Sequence, residues 1–355
     1  MKKNKTQKLK LIRTKIDQID ASLVNLLNKR AGLAKKTTAL KEKVVYDPKR
    51  EKQILRNLEK KNKGPIENKA MAGIYEEILS TCRGLQKQAT ASFLGPEGSH
   101  THHAAQKILG RSASFVPKQT ISEVFSSVEL GESPRGIVPL ENSLEGPVVE
   151  TLDRLVDKNV RITSESHIKI FHCLMSKQTN LKKIKKIYSH PQAIAQCQEF
   201  IKKNLWGSEI VEVQSTAKAA EIVTKESTAA AIAPEPCSQI YSLNLLKKSI
   251  QDTQENMTIF VSIEKAKKET LIKSKSKVSV AFSLDHRPGT LYSCLERFKK
   301  EKINLTKIQS RPSRKVDWDY LFFIDFLVDN NKAQAERCLE DLKIKASYFK
   351  ILGVY

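Results

Sequence analysis

At 355 residues, with 40% hydrophobic and 28% charged side chains, the chain has room for two or three compact units and is too apolar for global disorder. Its 62 basic against 39 acidic residues leave a net charge of +23, which suits anionic ligands steered by a positive field; the lysines are spread along the chain, so neither nucleic acid nor a membrane is expected as a partner. The six cysteines, Cys82, Cys173, Cys197, Cys237, Cys294 and Cys338, lack short paired spacing, which argues against a disulfide framework or a metal site and for a reducing cytoplasm.

No stretch reaches the length of a membrane span, and the basic start runs into Leu9, Lys10, Leu11, Ile12 and Arg13 rather than an apolar signal core. Residues 1–90 read as helix throughout. A first helix is expected from about Thr6 to Lys43, with an apolar seam of Ile12, Ile16, Ile19, Leu23, Leu26, Leu33 and Leu40. At roughly 57 Å it is too long to be covered by its own unit and should pack on a partner chain. One face of it carries Arg13, Ile16, Asp20, Leu23, Leu27, Arg30, Ala34, Thr37 and Lys41 at steps of three and four. Cations are rarely set in an apolar seam unless an anion meets them, so the stripe points to a dianionic small ligand. Arg30 and Lys41 stand roughly 16 Å apart along the axis, but Arg13 and Lys41 roughly 42 Å, so Arg13 must reach a shared site from a second subunit. A coiled-coil seam whose polar residues set the register is the other reading.

A second helix should open at Asp47 as N-cap and Pro48 in the first turn, with Glu51 close behind. A third is expected from near Pro65, carrying Ile74, Ile78, Cys82 and Gln86 on one face.

From 91 to 266 short apolar runs alternate with helices, the pattern of an α/β domain. Ala91–Leu94, Gly136–Pro139, Lys186–Ser189, Ile210–Val213 and Ala229–Ala233 are the expected strands, and ligands should bind where such strands end. The clusters there are 95–101, Glu141 to Ser143, Ser189 to Gln192 and Ser215 to Ala217. Glu141, Asn142 and Ser143 could bind and protonate a polar substrate or simply end a strand. His190 reads as an acid or a turn residue, and His102 and His103 lack metal-site spacing. Gly95 and Gly98 do not make a dinucleotide fingerprint, and no cofactor is expected.

After a Lys- and Ser-containing linker, residues 278–355 read as a βαββαβ, ferredoxin-like unit. Strands are expected at Val278–Leu284, Leu305–Ser310, Asp319–Val328 and the C-terminus, and helices at Pro288–Lys300 and Lys332–Ile344.

Taken in order, FLGPEGSHTHHAA (93–105), VPLENSLEGPV (138–148), YSHPQAIAQC (188–197), QENMTIF (254–260), RPGTLYSCL (287–295) and NLTKIQSRP (304–312) closely resemble the bifunctional chorismate mutase/prephenate dehydratase family over almost the whole length. The resemblance implies a multidomain chain: an all-α chorismate mutase at 1–90, a two-lobed α/β dehydratase at 91–266 and an α+β ACT regulatory domain at 278–355. It implies an intertwined homodimer, or a higher oligomer, with two composite mutase sites. Arg13 (from across the dimer), Arg30, Lys41, Asp47, Glu51, Cys82 and Gln86 would contact chorismate, with Lys41 and Gln86 at its ether oxygen. Cys82 stands where relatives often have Ser. The implied prephenate cleft draws on Glu141, Asn142, Ser189, Gln192, Ser215, Thr216 and Thr258, with Thr258 assisting the departing hydroxyl. The family's Thr-Arg-Phe motif is here Thr258, Ile259 and Phe260, without its arginine. L-Phenylalanine would bind at Gly289, Thr290 and Leu291 and at Gln309, Ser310, Arg311 and Pro312, where Gln309 replaces an acid.

The amino analogue arogenate carries the same ring and leaving groups, so the residues leave that choice open. A non-catalytic amino-acid sensor could use the same cleft but has no use for the cationic stripe.

Overall fold

The computed structural model describes residues 2–38, 48–86, 89–266, 272, 274–312, 320–329 and 332–355, with the backbone alone at 2–6, 38, 48, 49 and 86. Two compact units emerge, one formed by residues 1–89 with 109–114, the other by 90–108 with 115–355.

The first unit is a set of three helices, α1 (Lys2–Thr38), α2 (Pro48–Lys61) and α3 (Asn68–Gln86), in which α1 and α2 both pack on α3. Pro48 takes the first turn of α2, with Glu51 next to it, as the fixed φ of proline and the helix dipole favour. The third helix begins at Asn68 rather than near Pro65, because Asn62 holds the connecting turn by donating to the Ile66 carbonyl and to Asn68 Oδ1, both at 2.8 Å. The expected continuation of the first helix to Lys43 and the N-cap at Asp47 lie outside the described residues. Among the described residues of this unit, only Leu79, Cys82 and Leu109 are buried apolar side chains, while Ile16, Leu23, Leu26 and Leu33 on α1 are 50–65% exposed.

In the second unit, β1 (Thr90–Leu94), α4 (His100–Leu109), β2 (Ser114–Lys118), α5 (Ile121–Glu129), β3 (Gly136–Asn142), β4 (Gly146–Pro147), α6 (Val149–Asp157) and β5 (Val160–Lys169) build a first lobe. The second lobe comprises β6 (Cys173–Ser176), β7 (Lys186–Ser189), α7 (Pro191–Ala195), α8 (Gln198–Asn204), β8 (Glu209–Glu212), α9 (Thr216–Val223), β9 (Ala229–Ala233), α10 (Pro236–Ile240) and β10 (Asn244–Lys247). The chain returns to the first lobe with β11 (Met257–Lys265). The second lobe's five-stranded sheet runs β10-β6-β9-β7-β8, and its centre, β9, is the alanine run, every residue of it buried. Small side chains there let helices close on both faces.

The remainder follows the expected βαββαβ order: β12 (Ser276–Ser283), α11 (Thr290–Lys300), β13 (Leu305–Pro312), β14 (Tyr320–Val328), α12 (Lys332–Lys345) and β15 (Tyr348–Val354). It is not a detached module. Its strands continue the first lobe's sheet in the order β13-β14-β12-β15-β5-β11-β3-β1-β2, with Gly353 of β15 opposite Ile162 of β5. Its Ala281, Phe323 and Leu352 join Val124, Phe125, Leu152 and Leu155 in one core. The sequence pattern misses β5, whose run from Val160 to Lys169 alternates apolar with polar residues and contains Ser, Glu and His; its Glu165 accepts from Lys277 Nζ of β12 at 2.7 Å.

Candidate functional site

In the helical unit, Arg30 on α1 donates from Nη1 to Cys82 Sγ on α3 at 2.9 Å. Glu51 on α2 forms an ion pair with Arg83, also on α3, with both side chains about one-fifth exposed. Arg83 escaped the sequence reading; its adjacency to Cys82 is the signal that could have found it. α1 and α2 are thus each tied to α3 by a polar link, Arg30 to Cys82 and Glu51 to the next residue, Arg83. Arg13 is exposed on α1, some 17 residues or roughly 26 Å before Arg30, and does not reach that position within one chain. Lys41 and Asp47 lie outside the described residues, as does the side chain of Gln86.

In the second unit, a cleft of about 280 Å³ opens where the strands of both lobes end. Thr258 on β11 lies opposite Asn142 on β3, and Asn142 Nδ2 donates to both Thr258 Oγ1 and Asn256 Oδ1 at 2.8 Å. The Asn142 Oδ1 in turn accepts from the backbone of Leu144 and Glu145, which locks the amide's orientation. Thr258 thus accepts a hydrogen bond and, among the described residues, spends its own proton on no partner. The chain of polar groups continues inward: Gln196 Oε1 accepts from Asn256 Nδ2 at 3.0 Å and from His172 Nε2 at 2.9 Å.

His100, at the start of α4, faces His172 with ring centroids 6.0 Å apart, and neither His100 Nε2 nor His172 Nδ1 has a hydrogen-bond partner among the described residues. Burial, reinforced by His172 and His103, pushes the His100 imidazole down to about 3. Burial also lowers His172, against the hydrogen bond to Gln196 that favours its charged form. Both rings are neutral near pH 7, and His172, whose Nε2–H is spent on Gln196, presents Nδ1 as an acceptor.

Of the residues expected at this cleft, Asn142, Gln192, Ser215, Thr216 and Thr258 line it. Ser189 does not: it is fully buried and donates to the Ile232 carbonyl at 2.7 Å, tying β7 to β9. Glu141 does not either, because successive strand residues point to opposite faces and its carboxylate turns to Lys307 of β13, 2.5 Å away. His190 lines the cleft as the N-cap of α7, its Nδ1 accepting from Gln192 N at 3.3 Å. His102 serves structure, accepting from Gly98 N and stacking on Phe93. His100 falls in the 95–101 cluster expected at a strand end, whereas His172 and Gln196 are not singled out by the sequence reading and are brought to the cleft by the folded sheet edge. Among the described lining residues there is no Lys or Arg, so an anion would be met by hydroxyls, amides and the N-termini of α4 and α9.

A further hollow of about 440 Å³ lies at the start of α11, lined by Gly289, Thr290, Leu291 and Tyr292 and closed by Ser310, Tyr320 and Phe322. Gly289 adopts φ +84°, a left-handed conformation that glycine takes at little cost, and Thr290 Oγ1 bonds the Asp285 and Arg287 carbonyls to shape the turn. Gln309, Arg311 and Pro312 do not line it. Arg311 instead reaches Asp153 and the Val149 carbonyl at the start of α6.

Residues 91–268 match the family model for prephenate dehydratase, and residues 12–87 that for chorismate mutase type II. Over 356 residues the chain is 40% identical to a bifunctional chorismate mutase/prephenate dehydratase of Aquifex aeolicus, covering 98% of each protein. A prephenate dehydratase of Methanocaldococcus jannaschii is 38% identical over 267 residues, covering 73% of this chain and 95% of that one. Among solved structures, the prephenate dehydratase of Arthrobacter aurescens in complex with L-Phe is 29% identical with a TM-score of 0.68, covering 75% of this chain and 90% of that one.

Proposed function

Because this chain belongs to the bifunctional chorismate mutase/prephenate dehydratase family, we infer that it carries two consecutive steps towards phenylalanine. It rearranges chorismate to prephenate, then dehydrates and decarboxylates prephenate to phenylpyruvate.

The first step is pericyclic and needs neither nucleophile nor cofactor; the protein holds the reactive conformer and stabilises charge growing on the ether oxygen. Arg30, whose Nη1 donates to Cys82 Sγ, forks onto one carboxylate, a role supported by its position on the helix face that carries the cations. Arg13 completes the site from a second copy, with Lys41, Asp47, Glu51, Cys82 and Gln86 as its other members. A homodimer is supported by the exposed apolar stripe of Ile16, Leu23 and Leu33, too extensive for a lone soluble helix.

For the second step, the observation that carries the reading is the Asn142–Thr258 hydrogen bond, which leaves the Thr258 proton to be donated. As the ring carboxylate leaves as carbon dioxide, its electron pair restores aromaticity and expels the ring hydroxyl. Thr258 donates to that departing oxygen, which leaves as water once protonated. Ser215, Thr216 and Gln192 orient the substrate. L-Phenylalanine occupies the hollow at Gly289 to Leu291 in the ACT-like terminal segment and restrains the dehydratase. The setting is the cytoplasm, in keeping with six free cysteines.

Prephenate is taken as the substrate ahead of arogenate. Thr258→Val is expected to lower prephenate turnover by about 10²-fold or more while mutase activity persists; unchanged turnover removes Thr258 from the chemistry. Competition between prephenate and arogenate in one assay decides the amino analogue.

A further inference from the structure

In the pairing of β3 with β11, Asn142 is opposite Thr258 and Glu141 is opposite Ile259. Asn142 faces the cleft; Glu141, one residue earlier, faces away from it, and its carboxylate meets Lys307 Nζ at 2.5 Å, the two side chains 32% and 17% exposed. Its cross-strand neighbour Ile259 supplies no cation and packs on the apolar core instead. The positive partner of Glu141 is therefore borrowed from a strand 166 residues away in sequence.

That strand is two-faced. Lys307 and Arg311 reach the dehydratase segment, at Glu141 and at Asp153 with the Val149 carbonyl, whereas Ser310 between them in the alternation lines the hollow at α11. β13 thus touches the end of β3 through Lys307 and borders the hollow through Ser310.

We propose that Lys307 is a positioning residue of the dehydratase cleft: by pairing with Glu141 it fixes the end of β3 that carries Asn142, and through Asn142 the Thr258 hydroxyl, so that a ligand in the hollow acts on the cleft through this pair. The proposal rests on the reading that the Thr258 cleft dehydrates prephenate and the hollow binds L-phenylalanine. Removing one partner leaves the other charge partly desolvated and uncompensated, so the end of β3 must rearrange rather than merely lose a contact.

The test uses the full chain with Lys307→Met, Glu141→Gln, their double variant, and Lys307→Met combined with Ile259→Arg. Prephenate kcat and KM are measured with and without L-phenylalanine, and L-phenylalanine binding by calorimetry. Each single variant should lower kcat about tenfold or more with KM within about twofold, as a misplaced group does. The double variant should be no worse than the poorer single one, since both break the same pair. The inhibition ratio should fall towards one while L-phenylalanine still binds within about threefold of its original affinity, which separates lost coupling from a lost site. Adding Ile259→Arg restores a cation across the strand pair and should recover kcat in Lys307→Met without recovering the response to L-phenylalanine. Unchanged kcat and full inhibition in Lys307→Met, or single effects that multiply in the double variant, overturn the proposal. A wild-type chain that neither consumes prephenate nor responds to L-phenylalanine overturns the underlying reading as well, an outcome distinct from wild type and variants responding alike.

Discussion

Thr258 and His100 meet the same cleft, one a hydroxyl that already accepts from Asn142, the other a buried neutral imidazole. The His100 ring is held far below its ordinary 6.5, at about 3, by burial and then by His172 and His103. On acidification the unfolded chain takes up this proton first, below about pH 6.5, while the folded chain resists it. Folding stability therefore falls as pH drops from 6.5 towards 3, by up to about 1.4 kcal/mol per pH unit for this one proton. In His100→Phe the denaturation midpoint should depend less steeply on pH across that window; an unaltered slope would show that the ring is solvated. At this scale the sequence is legible only in part. Thr258, Asn142, Ser215 and Thr216 stand in motif stretches at strand ends, where ligands are expected to bind. Glu141 and Ser189 stand there too, yet strand alternation turns the first towards Lys307 and burial commits the second to the Ile232 carbonyl. Neither the register of β3 nor the depth of β7 can be read from local pattern.

The long first helix and the terminal βαββαβ order are the elements that sequence periodicity reads best, because each is long and strongly patterned. β5 and β6 escape it, the former because its apolar residues alternate with Ser, Glu and His. For α1, the separation of Arg13 from Arg30 makes a concrete expectation. Mixed Arg13→Ala and Arg30→Ala chains, each inactive as a mutase by itself, should recover activity after subunit exchange, because one of the two sites in a heterodimer would hold both arginines. Absence of recovery after confirmed exchange counts against the shared site. For α6, the terminal segment grips both ends: Arg311 holds the start, and Lys350 donates to the Leu155 and Lys158 carbonyls at 2.7 and 2.6 Å, supplying a cation where a helix C-terminus favours one. Lys350→Met should destabilise the unit by about 1 kcal/mol, the cost of part-buried carbonyls left without their donor, in a denaturant titration.

Across residues 90–355 one sheet and one core join segments that composition and spacing separate at a linker. The seam runs through Gly353, where an added Cβ would stand 2.6 Å from the Ile162 carbonyl oxygen. Gly353→Val should cost about 1–3 kcal/mol by overpacking and lower the stability of the dehydratase and terminal segments together, in a single calorimetric transition; two separated transitions would mean that the segments fold independently. The linker's lysines and serines mark a change of segment, but sequence alone does not say that the strands on either side rejoin in one sheet, because that depends on pairing between residues almost 200 positions apart. The broader claim is that one chain performs both reactions in succession. It is tested most directly by supplying purified protein with chorismate and, separately, with prephenate, and following phenylpyruvate. Phenylpyruvate should form from both, after a lag with chorismate as prephenate accumulates; consumption of neither, or of one alone, would contradict the account.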